Sequence, residues 1–138
     1  MRNCTVPAGK ALLFPLIANE CSYAENPNLK SPSQLIDCAK SADNNLKYLQ
    51  LSIDGVAIPY MEKYRITSTQ LFNFTFGKDN IAGAPPGPTS GAFDGWFAYV
   101  KPLSPGNHII RFSGASVTAT QTGQPNYAVD ATYHITVG

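Results

Sequence analysis

Charge is what this chain has least of. Charged residues make up 14% of its 138 residues, against about 25% in an average soluble protein. Lysines and arginines never stand next to one another and the formal net charge is +1. The basic footprint that nucleic acid or an anionic membrane surface requires is therefore missing, and neither is expected as a partner. No apolar stretch approaches the ~18 residues of a membrane span, since the longest, residues 11–18, is interrupted by Pro15. Membrane insertion is not expected. No signal peptide is read at the start: Met1-Arg2 runs at once into the strand-like Cys4-Thr5-Val6, which is expected of either a mature chain or a piece from which upstream sequence was cut, with Met1 supplied for translation.

The familiar catalytic motifs are absent too. Gly-x-Ser-x-Gly, the strained elbow that activates a serine, does not occur, and neither does Cys-x-x-Cys. Nine acidic residues are present, but no pair stands out as the acid and base of a glycoside hydrolase. The two histidines have plain structural explanations. His108 follows the Pro105-Gly106-Asn107 turn, where a ring tied to a loop carbonyl at a strand start accounts for it, and His134 fits a solvent-facing position on a strand. A metal site would need His108 and His134 to meet on neighbouring strands with Asp130, and a small metal-dependent hydrolase would need that site. Enzymatic activity is not expected, and no cofactor is called for.

What the chain does have is turn residues and alternation. Eleven glycines and eleven prolines punctuate 138 residues, the composition of a turn-rich β protein. Val6-Pro-Ala-Gly-Lys10 is a turn between the apolar runs 5–6 and 11–14. One helix stands out. Ser31 caps it, Pro32 takes the first helical position and Gln34 closes a capping box ahead of Leu35, Ile36, Cys38 and Ala39. It should span about residues 32–42, with Asn44-Asn45 ending it.

From Lys47 the period changes to 2. Leu49, Leu51 and Ile53 alternate with polar residues until Asp54-Gly55 turns the chain into Val56-Ala57-Ile58, a hairpin signature. Phe72, Phe74 and Phe76 mark another strand, with a shorter one at Ile66 before it. Further strands are expected at 96–100, 109–112 and 117–120. The cleanest is the last, where Val129, Ala131, Tyr133, Ile135 and Val137 face one way and Asp130, Thr132, His134 and Thr136 the other. Some eight short strands predict a mainly β fold: an antiparallel β-sandwich, immunoglobulin-like or jelly roll, with one short helix, in a single domain over 1–138. Between Gly77 and Gly95 a run of nineteen residues with five glycines and three prolines is expected to be a long loop, either functional or mobile.

Three cysteines, Cys4, Cys21 and Cys38, cannot all pair. Cys21 lies just before a polar loop and Cys38 inside the helix. In a chain of this composition the pair is expected to be bridged across sixteen intervening residues, which leaves Cys4 unpaired. Cys38, in a helix interior, is not placed for thiol catalysis.

The segments Cys4-Thr-Val-Pro-Ala-Gly-Lys-Ala-Leu-Leu-Phe-Pro15, Lys101-Pro-Leu-Ser-Pro-Gly-Asn-His-Ile-Ile-Arg-Phe-Ser-Gly114 and Tyr133-His-Ile-Thr-Val137 resemble a group of secreted prokaryotic proteins of unknown function. That resemblance covers both ends of the chain. It implies a β-sandwich, export to the medium or the cell surface, and a cysteine-bearing segment upstream that would be the partner of Cys4. Otherwise Cys4 links two copies of the chain. The resemblance carries no catalytic residues. Two Asn-x-Thr triplets, at Asn3 and Asn73, decide nothing among ten asparagines.

Binding remains. The only tryptophan, Trp96, follows the expected loop with Phe93 and Asp94 beside it. Asp79 lies in the loop, and Tyr60 and Tyr64 sit near another turn. Aromatic faces at loop edges stack on sugar rings while carboxylates accept hydroxyl hydrogen bonds. Two readings follow: a structural or interaction domain of the cell surface or matrix, with another surface protein as partner, and a carbohydrate-binding module with a polysaccharide as partner. A buried Trp96 favours the first and an exposed one the second.

Overall fold

The computed structural model describes residues 1–116 and 127–138. The strand expected at 117–120 lies outside them. Strands β1 (Arg2–Val6) and β2 (Leu12–Ser22) precede helix α1 (Pro32–Asp43). Then come β3 (Leu46–Ile53), β4 (Val56–Ala57), a 3-10 turn at Met61–Tyr64, β5 (Arg65–Thr67), β6 (Phe72–Phe76), β7 (Gly87–Val100), β8 (Gly106–Ser116) and β9 (Tyr127–Val137). One sheet has the order β1-β9-β8-β3-β4; the other has the order β2-β7-β5, with β6 also paired to β7. All pairs in the first sheet are antiparallel except β1 with β9. The mainly β class and the short helix are as the sequence predicts.

The described chain divides into two compact units: residues 1–17, 45–65 and 96–138, and residues 18–44 and 66–95. The first unit holds the β-sandwich core. Ile110 and Phe112 of β8, Ile135 and Val137 of β9, and Leu49 and Leu51 of β3 point inward from the five-stranded sheet. They pack with Leu16 and Ile17 of β2 and with Trp96 and Ala98 of β7. The alternation read along 129–137 is realised, since the register sets Ile110 against Tyr133 and Phe112 against Ala131. At the β3–β4 turn Asp54 and Gly55 take φ of 52° and 79°. Positive φ at both central residues matches the twist of a two-residue hairpin, and this is why Asp-Gly serves there.

In the second unit, Leu35 and Ala39 of α1 are fully buried with Cys21 and Ala92, and the Cys21–Cys38 disulfide joins β2 to the helix with 6.1 Å between Cα atoms. The capping box forms as expected. Ser31 Oγ accepts from the Gln34 amide at 3.3 Å and Gln34 Oε1 accepts from the Ser31 amide at 3.0 Å. The Asn44 amide closes the other end on Lys40 O.

The expected 77–95 loop is corrected. Residues 87–95 belong to β7, whose edge Phe72–Phe76 of β6 follows in antiparallel register, and only 77–86 connect the two strands. Glycine in this strand is a packing requirement. A Cβ at Gly91 would lie 2.6 Å from Glu20 Oε1 and 3.0 Å from both Cys21 O and Phe74 Cε1. Gly91→Ala is therefore expected to destabilise the protein by about 1–3 kcal/mol through overpacking, read as a lower urea midpoint with an unchanged m-value. Pro15 does not end its strand either, because β2 runs through it at the end of the β2-β7-β5 order, where a missing donor is tolerated.

Candidate functional site

Of the six residues expected to bind a ligand, Trp96 and Asp94 are buried and the other four are exposed or partly exposed. Along β7, Ala92, Asp94, Trp96, Ala98 and Val100 are all buried, so the strand's period of 2 turns Trp96 (4% exposed) and Asp94 (0%) inward. Trp96 is a core anchor with the Arg65 guanidinium 5.0 Å above its ring, and its Nε1 is buried without a hydrogen-bond partner. Asp94 accepts a hydrogen bond from the Thr67 hydroxyl. Both side chains are taken up by the interior rather than presented at a loop edge. Asp79 is exposed in the 77–86 turn, which Asn80 closes through Gly77 O and Ala84 O. Tyr60 and Tyr64 are exposed at the two ends of the 3-10 turn, with Lys63 Nζ 4.6 Å from the Tyr60 ring centre.

Phe93 alone finds aromatic company. Its ring lies 6.0 Å from that of Phe72, which continues to Phe74 at 5.3 Å and Phe76 at a further 5.0 Å. Phe72 is 37% exposed, so the second unit carries a ladder of four partly exposed phenylalanines. The period-2 run 72–76 announced three of these rings; the fourth was hidden because Phe93 was assigned to a loop.

The two histidines do not converge. In the β8–β9 register Ile109 faces His134 and His108 faces Ile135, which puts the imidazoles on opposite faces of the sheet. Asp130 pairs with Arg111 at 3.3 Å on the surface. Among the described residues no three histidine, cysteine or acidic side chains gather closely enough to hold a metal ion.

His108 instead joins a cluster that sequence spacing did not announce. Its Nδ1 lies 2.7 Å from Asp54 Oδ2, and its Nε2 lies 2.8 Å from Ser104 O and 3.5 Å from Ser104 Oγ. Asp54 Oδ1 also accepts from the Ile109 amide at 2.8 Å. The tie to a loop carbonyl matches expectation; the carboxylate on the other nitrogen, 54 residues away, does not show in the sequence. The hydrogen bond to Asp54, then that to Ser104, raises the His108 pKa above its ordinary value, and the bond to His108 lowers that of Asp54. Aspartate, histidine and serine in this order suggest a nucleophilic triad, but Ser104 O takes Nε2 at 2.8 Å while the Ser104 hydroxyl stands 3.5 Å away, so the ring engages the backbone and not the hydroxyl.

A pair of carboxylates, Glu20 and Glu25, meets in the other unit. Ser22 Oγ donates to Glu25 Oε2 at 2.6 Å, and Glu20 Oε1 is buried without a hydrogen-bond partner. Burial first, then the bond and the charge of Glu25, push the Glu20 pKa up to about 8.

Cys4 is exposed and free. Its register with Ile135 sets it on the core-facing side of the sheet. With Leu12, Leu13, Phe14 and Tyr133 it lines an apolar groove of about 320 Å³ in the first unit. Neither a family model, nor a curated protein, nor a solved structure matches the chain. Among the described residues no helix is long and apolar enough to cross a membrane.

Proposed function

We propose that the chain is a non-catalytic structural or interaction domain that works outside the cytoplasm, at the cell surface or in the surrounding matrix. The observation that carries this reading is the burial of Trp96, 4% exposed. The one side chain best suited to stack on a sugar ring serves the core of the sandwich instead. Export is supported by the Cys21–Cys38 disulfide, a bond that persists in oxidising compartments, and by the resemblance of both chain ends to secreted prokaryotic proteins.

The carbohydrate-binding reading retains one favourable observation, the partly exposed ladder Phe72-Phe74-Phe76 with Phe93. A glycan array together with surface labelling separates the two. The proposed function predicts labelling of intact cells of the source organism by a membrane-impermeant reagent, and no saturable glycan signal. Glycan binding lost in Phe72→Ala would replace it with the carbohydrate module, and labelling only after lysis would overturn export.

A further inference from the structure

We propose that His108 is a pH-operated latch: as an imidazolium donating from both nitrogens it ties the Asp54-Gly55 turn to the 101–105 loop, and loss of its proton releases that loop. A backbone carbonyl, Ser104 O, faces Nε2 at 2.8 Å, and a carboxylate, Asp54 Oδ2, faces Nδ1 at 2.7 Å. A carbonyl can only accept, and so can an ionised carboxylate, so both bonds exist together only while both nitrogens carry hydrogen. A neutral imidazole must turn a lone pair toward one of the two oxygens. Asp54 is held for this task from two further directions. Its Oδ1 accepts from the Ile109 amide, and its own amide donates to Ile109 O at 2.8 Å. The carboxylate is thus fixed to β8, and the loop carbonyl is the partner free to leave.

The loop is Lys101-Pro-Leu-Ser-Pro105, and Leu103 packs against the sandwich core. Releasing Ser104 O therefore loosens a core contact as well as a hydrogen bond. Asp54 is the charged group facing the ring from the β3–β4 turn, and Lys101 is the charge carried by the loop. From β9 the side chain opposite is the apolar Ile135, while His134, the titratable neighbour that borders the same hollow, belongs to the other face. The raised pKa of His108 and the lowered pKa of Asp54 agree with the imidazolium–carboxylate pair of the closed latch. His108 contributes stability in full below the ordinary histidine value, and that contribution is lost as pH rises through the higher folded value. The Asp54 contribution is lost only when pH falls through a value below that of an ordinary aspartate.

Because Glu20 in the other unit titrates near 8, a global melting curve would mix two transitions, and a local signal is needed. The test follows the ring proton of His108 and the methyl signals of Leu103 by NMR from pH 5 to 10. The latch predicts a His108 midpoint above ~6.5, with the Leu103 methyls shifting through the same midpoint. In Asp54→Asn, which keeps an oxygen for the Ile109 amide and tolerates positive φ, both midpoints should move down together. A His108 midpoint at or below the free imidazole value, or Leu103 methyls that stay still through the transition, would overturn the proposal. The wild-type titration decides the matter even if the variant folds poorly.

Discussion

Ile135→Asp is expected to abolish folding. Ile135 is 5% exposed in β9, a strand with neighbours on both sides, and it sits between Cys4 of β1 and His108 of β8. A carboxylate there would enter the apolar cluster of Phe112, Val137 and Ile110, and the His108 ring beside it in register is already engaged by Asp54 and Ser104. An uncompensated buried charge costs several kcal/mol even after its pKa adjusts, and the isoleucine's own burial is lost with it. Against the ~5–15 kcal/mol that holds an ordinary domain together, that is most or all of the margin. Thr132→Asp is the control. Thr132 sits on the other face with Arg111 as its register partner, and Arg111 already pairs with Asp130. A second carboxylate beside that guanidinium should change stability by no more than about 0.5 kcal/mol. Circular dichroism melts are expected to show no cooperative transition for Ile135→Asp and a near-native one for Thr132→Asp. Similar behaviour of the two would mean that the face of β9 is misassigned.

Replacing both Cys21 and Cys38 by serine is expected to cost about 3 kcal/mol, with a fall in melting temperature on the order of 10 °C. Two effects combine. The bond closes a chain segment with a sequence separation of 17, so without it the unfolded chain regains loop entropy. Cys21 is also 8% exposed beside Leu35, Ala39 and Ala92, so a serine hydroxyl would enter an apolar cluster. A twelve-residue helix is marginal alone and depends on packing, here that of Leu35 and Ala39 against Cys21 and Ala92. A reducing agent added to the wild-type chain should reproduce most of the loss. Loss of α1 signal before the β-sheet signal would locate the weakening in the second unit.

How far the sequence is legible depends on whether a feature is local. The capping box at Ser31–Gln34, the Asp-Gly hairpin and the alternation of 129–137 each involve residues within one or two turns of chain, and each appears as read. The pairing of Cys21 with Cys38 was legible because only three cysteines compete. The 77–95 segment was misread because its signals are local and its structure is not. Glycine and proline mark a loop by default, but Gly91 sits in a strand where Glu20, Cys21 O and Phe74 leave no room for a Cβ, and those neighbours come from other elements. The same continuity decides Trp96, which the sequence leaves open between the core and a loop edge. Once 87–100 is one strand, even-numbered positions from Ala92 onward face in, and the ligand-binding set loses two of its members. Asp54 and His108 come together through the β3–β8 register, in which Ile53 lies opposite Ile110, and no spacing in the sequence encodes it.

Cys21–Cys38 staples the β domain, and Cys4 lies outside that pair. Thiol counting under denaturing, non-reducing conditions, followed by peptide mapping, tests this most directly. The predicted result is a Cys21–Cys38 linked peptide and one reactive thiol per chain at Cys4, or a dimer band abolished by Cys4→Ser if two copies are joined. Three reactive thiols, or Cys4 bonded to Cys21 or Cys38, would contradict it.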